Sequence, residues 1–161
     1  MRRIEILFAL GVLLLTRVGV VAQHQHASSH SQAKVMGFDQ SRTTHHFSLY
    51  KDGGAIEVTV NDSGDTANRD AIRAHLQHIA VMFANGDFNA PMLVHDSNDV
   101  PGTKEMSRLK DHVGYTYVEV PSGGRINIMT SDQKATDAVH QFLQFQIREH
   151  KTGDPTAVQS R

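Results

Sequence analysis

The chain of 161 residues contains the same pattern of turns and apolar periods twice. In each half, two short alternating segments flank consecutive glycines, Gly53-Gly54 in the first half and Gly123-Gly124 in the second. An Asp-bearing turn and then a long amphipathic segment follow each of these hairpins. Two amphipathic helices bury their apolar stripes most simply on one face of a sheet. The sequence therefore predicts an α+β fold of order ββα–ββα, with a four-stranded antiparallel sheet packed against two long helices.

The apolar spacing also predicts where the individual elements lie. Alternation predicts strands at 46–50, 55–60, 115–120 and 125–129. The helical period predicts long helices at 67–85 and 133–150. Prolines, a glycine and an Asp-Ser-Asn-Asp run predict an irregular segment over 87–102, and a short helix is expected near 103–109.

The first residues have the features of an export signal. Arg2 and Arg3 precede an apolar run at 6–15, and Val20-Val21-Ala22 provides a small-residue cleavage site. We therefore expect a signal peptide over 1–22, cut near Ala22, and a periplasmic or secreted protein. The alternative is an uncleaved N-terminal anchor. After cleavage we expect no stable membrane insertion.

The remainder divides into an arm, one domain and a tail. Residues 23–37 are rich in His, Ser and Gln without an apolar period, which predicts a disordered arm. Residues 38–154 form the single predicted domain, and 155–161 a disordered tail. The net charge of −1 gives no reason to expect nucleic acid as a partner.

Histidine is the residue type that bears most directly on function. The chain has eleven histidines, all after residue 22, and no cysteine. Imidazole is the commonest metal ligand among side chains. The absence of cysteine excludes disulfides, thiolate metal sites and thiol catalysis.

The first long helix carries the most suggestive group. His75, His78 and Met82 lie on one flank of this helix, beside its core face. A His-x-x-His spacing places two imidazoles on adjacent turns, where they can share one ion. A thioether with them favours copper over zinc. The alternative is that His75 packs at the core edge, His78 is solvated and Met82 fills the core.

Histidines outside this helix could complete a site. His45 and His46 point to opposite faces of a strand, and His45 is the better inward candidate because it shares the face of Phe47. His95 lies in the irregular segment, which could close over a site as a lid. The predicted metal ligands are therefore His45, His46, His75, His78, Met82 and His95. We expect the other histidines to belong to a loosely chelating arm (His24, His26, His30) or to have structural or solvated roles (His112, His140, His150).

Several strings in the chain suggest a relationship to known sequences. They are Met36-Gly37-Phe38-Asp39-Gln40, Thr43-Thr44-His45-His46-Phe47, His75-Leu76-Gln77-His78-Ile79-Ala80 with Met82-Phe83, and Phe142-Leu143-Gln144-Phe145-Gln146-Ile147 before His150. Over about 36–154 the chain resembles a small family of exported bacterial proteins. Some similar sequences carry the label aspartate carbamoyltransferase. We do not expect that activity, because the chain is shorter than such a catalytic subunit and begins with an export signal.

Three functions are compatible with the sequence. The first is an exported protein that binds a copper or zinc ion through the histidine cluster. The second is a histidine-ligated metalloenzyme, an oxidoreductase or a hydrolase, which would need an open coordination position. The third is a binding or interaction module without a metal, in which dispersed histidines only sense pH. The sequence does not indicate an oligomeric state.

Overall fold

A computed structural model describes residues 36–161. It confirms the α+β fold and the order ββα–ββα. The strands are β1 (Thr43–Tyr50), β2 (Gly53–Val60), β3 (Val113–Val120) and β4 (Gly123–Thr130). They form one antiparallel sheet in the order β1-β2-β4-β3, so β2 and β4 are central and β1 and β3 are the edges.

Two long helices pack on one face of this sheet. They are α1 (Thr66–Ala84) and α4 (Gln133–His150), and the shorter α2 (Asn89–Val94) and α3 (Thr103–Arg108) lie between them in sequence. The carboxylates of Asp65 and Asp132 cap α1 and α4 by accepting backbone N–H groups of Asn68 and Ala135. The two Asp-bearing turns therefore start the two helices, as the repeated pattern predicted, although α1 is capped by Asp65 and not by Asp62, the residue that the pattern matches with Asp132.

The two hairpins are related by an approximate twofold axis. Each strand of the second hairpin is offset from its counterpart by the same number of residues, and the equivalent residues Ile56 and Ile126 are paired with each other. The glycines of the two turns occupy matching environments. A Cβ on Gly53 would lie 2.3 Å from the Ile128 carbonyl oxygen, and one on Gly123 would lie 2.0 Å from that of Val58. The central strands can approach this closely only because these positions lack a side chain.

The second glycine of each pair makes room for a helix. A Cβ on Gly54 would lie 2.2 Å from a methyl group of Leu143 on α4. The equivalent atom on Gly124 would lie 3.1 Å from a methyl group of Leu76 on α1. Each helix therefore places a leucine over a glycine of a central strand, which brings the helices close to the sheet.

The segment between α1 and β3 is more ordered than the sequence predicted. The region expected to be irregular contains α2, which begins at Asn89, and the predicted short helix is present as α3. Pro91 lies in the first turn of α2, where its missing N–H costs no helical hydrogen bond. Phe88 and Val100, which flank α2, are buried in the core and fix this segment against it.

The predicted disorder of 155–161 was wrong, because this segment lies beside β1. The backbone N–H of Gln159 donates to the Leu49 carbonyl at 2.8 Å, and Gln144 donates to the Thr156 carbonyl at 3.0 Å. Just before it, Asp154 accepts the backbone N–H of Phe47 at 2.9 Å. These bonds occupy the edge of β1.

Within 36–161, no helix is both long enough and apolar enough to cross a bilayer. The predicted signal peptide and most of the predicted His-rich arm, with His24, His26 and His30, lie outside the described residues.

Candidate functional site

Four histidines line one small cavity between the sheet and the helices. They are His45, His75, His95 and His150, and each is half-buried. The cavity has a volume of about 70 Å³, enough for an ion with a few waters. Its other walls are almost entirely apolar and include Phe47, Phe83 and Phe142. We refer to it as the histidine cavity.

Three of these imidazoles form a continuous group. His45 projects from the helix-facing side of β1, together with the buried Phe47 and Leu49. His150 is the last residue of α4, and its ring lies 5.2 Å, centroid to centroid, from that of His45 with nearly parallel planes. His95 follows the last residue of α2, and its ring lies 5.2 Å from that of His150 in a perpendicular arrangement.

His75 reaches the same cavity from α1. Phe38 lies against both His75 and His45, at centroid distances of 5.5 Å and 6.0 Å. Phe38 is itself buried, and the next residue is fixed to α1 because the backbone N–H of Asp39 donates to the Asn68 side chain at 2.9 Å. Phe38 therefore supports two of the cavity histidines, and Met36, two residues earlier, lines the cavity.

The buried imidazoles are held in their uncharged form. Burial lowers the pKa of His45, His75 and His150 to about 4 in each case. Neighbouring imidazoles add to the effect, because a second positive charge is unfavourable beside the first: His75 acts on His45, and His45 and His95 act on His150. At neutral pH these rings are therefore neutral, which is the state in which imidazole binds a metal.

Two polar groups at the cavity lack a hydrogen-bond partner within the described part of the chain. One is Nε2 of His45 and the other is Nε2 of Gln146, a residue only 5% exposed. The side-chain oxygen of Gln146 lies 3.0 Å from Nε2 of His95. Since buried polar groups are rarely left unpaired, these two atoms are the groups at the cavity that a bound water, ion or ligand could satisfy.

The predicted ligand set is only partly brought together. His45, His75 and His95 share the cavity, whereas His46, His78 and Met82 do not line it. His46 points to the opposite face of β1, where its Nδ1 lies 2.9 Å from the Asp154 carboxylate. His78 is exposed on α1, and Met82 packs against the core. The flank of α1 is therefore divided, because only His75 of these three residues lines the cavity.

The sequence predicts a structural role for His150, whereas the structure places it at the centre of the imidazole group. The sequence carried a signal for this position: His150 lies one turn after Gln146 on the apolar stripe of α4. Gln146 itself was a polar residue on that stripe, and its burial beside His95 was not predicted.

The side chains as they stand are not arranged around an ion. No group of three His, Asp or Glu side chains within 36–161 is positioned to hold one metal. The rings of His45 and His150 are stacked, and a nitrogen of His95 is hydrogen-bonded to Gln146. A metal would have to turn these rings and replace that hydrogen bond.

The chain matches no protein-family model, no curated protein and no solved structure. Its relationship to the exported bacterial family therefore stays a prediction.

Proposed function

We propose that this is an exported metal-binding protein, with a copper or zinc ion held in the histidine cavity. The supporting observation is the spacing of the imidazole rings. Two imidazoles bound to one tetrahedral ion at ~2.0 Å have ring centroids roughly 5 Å apart. The ring pairs His45–His150 and His95–His150 are each spaced at 5.2 Å.

The ligand set of this proposal is His45, His95 and His150, with His75 beside them. Rotation about the side-chain bonds would direct nitrogen atoms toward a common point, and the free Nε2 of His45 has no hydrogen bond to lose. Met36 replaces Met82 as the thioether of the site, because Met36 lines the cavity. A thioether and neutral imidazoles suit Cu(I) better than Zn(II).

A second candidate is a module that binds a small uncharged molecule. Apolar walls and the two unpartnered nitrogens of His45 and Gln146 favour it. A compact ligand with one polar group would satisfy both nitrogens while its body contacts the phenylalanines. Within 70 Å³ such a ligand has only a few non-hydrogen atoms.

Metal titration distinguishes the metal-binding protein from the small-molecule module. The full chain is used with His24, His26 and His30 each changed to alanine, which removes the histidines of the arm. We expect one equivalent of Cu(I) to bind in competition with a colorimetric chelator, and Zn(II) to bind more weakly. In this background, His45→Ala or His150→Ala should weaken Cu(I) binding roughly 100-fold or more, since even supporting residues of metal sites cost up to about that much.

Exposed histidines provide the matched controls for this titration. His46→Ala and His78→Ala remove residues that the sequence alone suggested as ligands but that lie outside the cavity, and they should leave the affinity unchanged. The metal proposal is wrong if the arm-substituted protein binds neither ion stoichiometrically. It is also wrong if His78→Ala weakens binding as much as His45→Ala.

A further inference from the structure

The approximate twofold axis makes the two edges of the sheet equivalent, but the segments that lie beside them differ. The edge of β1 is occupied by the chain that follows α4, through Asp154 on the Phe47 N–H and Gln159 on the Leu49 carbonyl. The counterpart of that chain is the segment after α1. That segment instead forms α2, which lies against the histidine cavity.

Among residues 36–161, nothing covers the edge of β3 in this way. Within the described residues, no backbone group of 114–119 bonds to any element other than β4. Gly114, Thr116, Val118 and Glu119 are exposed, and this edge has no proline and no lysine to block pairing. Proteins usually protect such an edge with short strands, charges or a covering segment. The open edge along 114–119 is a site for another β-strand.

We propose that β3 pairs antiparallel with β3 of a second copy, so that the two sheets become continuous. When β3 pairs with β3 of a second copy, side chains of the same charge must not lie opposite each other. The only ionisable carboxylate on β3 is Glu119. In the register centred on Tyr117, Glu119 lies opposite Tyr115 of the other copy, and the two acids do not face each other.

The side chains on the open face of the sheet fit the same register. Val118 is 43% exposed, and it would lie opposite Thr116 of the second copy. Both are β-branched, which suits cross-strand packing. The partner strand of β3 within the chain, β4, adds the exposed Met129 to this face. A strand from an unrelated basic or acidic protein would find little charge on β3 to recognise, which favours a second copy.

The test is a sedimentation equilibrium series on the full chain at micromolar to millimolar concentrations. We expect a reversible dimer, and Val118→Lys should raise its dissociation constant at least ~10-fold, about 1.4 kcal/mol. Each lysine would replace the β-branched side chain that packs against Thr116 of the other copy, and the two new charges would be diagonal neighbours across the strand pair. Val81→Lys is the matched control. Val81 is 61% exposed on α1, and this change should leave association unaffected.

Hydrogen exchange provides a readout that does not depend on a variant. Backbone amides of β3 should become more protected as protein concentration rises, while those of β1 should not change. A monomer at every concentration overturns the proposal. A dimer that tolerates Val118→Lys, with no added protection in β3, overturns it too, since the copies would then associate through another surface.

Discussion

Lowering the pH from 7 to 5 is expected to reduce the free energy of unfolding by about 3 kcal/mol, a large part of the stability of a domain this size. The cause is the group of buried imidazoles. The pKa values of His45, His75 and His150 are about 4 in the folded protein, against an ordinary value of about 6.5 in the unfolded chain. The unfolded state therefore takes up protons that the folded state excludes.

The sign and the pH window follow from these values. Above about pH 6.5 the imidazoles are neutral in both states, and folding is not opposed by protonation. As the pH falls from 6.5 toward 4, each such group lowers the free energy of unfolding by up to ~1.4 kcal/mol per pH unit. The three groups interact and are partly exposed. We therefore expect the free energy of unfolding to fall, between pH 6.5 and 5, by about half of the sum of their three maximal contributions. Depressed carboxylate pKa values, such as those of Asp132 and Asp154, act at lower pH.

Urea unfolding at pH 7 and pH 5 measures this effect, and NMR of the imidazole C–H signals assigns it to residues. His45→Phe should flatten the pH dependence, because an aromatic ring remains but no proton can bind. The exposed His112 acts on none of these three imidazoles and serves as the control, and His112→Gln should leave the dependence between pH 7 and pH 5 as it was. Equal stability at the two pH values would contradict the prediction, as would imidazole titration of His45, His75 and His150 near pH 6.5.

Local periodicity was sufficient to predict the fold and the face to which one of the cavity histidines points. The alternation around β1 placed His45 on the face of Phe47, and the sheet confirms that placement. The two glycine pairs and the two Asp-bearing turns predicted both hairpins and both helices. These features act over a few residues, where the spacing of side chains determines direction.

The rest of the site depends on contacts between distant segments. His150 reaches His45 only because α4 crosses the sheet at an angle that brings its last turn over β1. His75 and His78 lie on adjacent turns of one helix, and the packing of α1 determines which of them faces the cavity. The bond from Asp154 to the Phe47 N–H likewise joins segments far apart in sequence. Helical spacing alone gives neither a crossing angle nor such a pairing.

Substitution in the glycine pairs is also expected to have a large effect. Gly123→Ala should lower the free energy of unfolding by about 3 kcal/mol. A Cβ at this position would lie 2.0 Å from the Val58 carbonyl oxygen, far inside the contact distance. Both atoms belong to backbone of the central strands, so relief requires β2 and β4 to separate. Overpacking of a well-packed interior typically costs 1–3 kcal/mol or more, and the rigid neighbour places this site at the upper end.

Two other glycines test whether the cause is this close approach. A Cβ on Gly114, at the edge strand, would meet only the Met129 carbonyl oxygen, at an ordinary 3.7 Å, so Gly114→Ala should change the stability by less than ~0.5 kcal/mol. Gly53→Ala should be as damaging as Gly123→Ala, because the twofold axis gives Gly53 the matching contact with Ile128 and because its φ of +129° strains any side chain. Thermal and urea unfolding of the three variants measure this order. If Gly123→Ala and Gly114→Ala were equally stable, the central strands would not be held together at the glycines, and the repeated Gly-Gly pairs would serve only their turns.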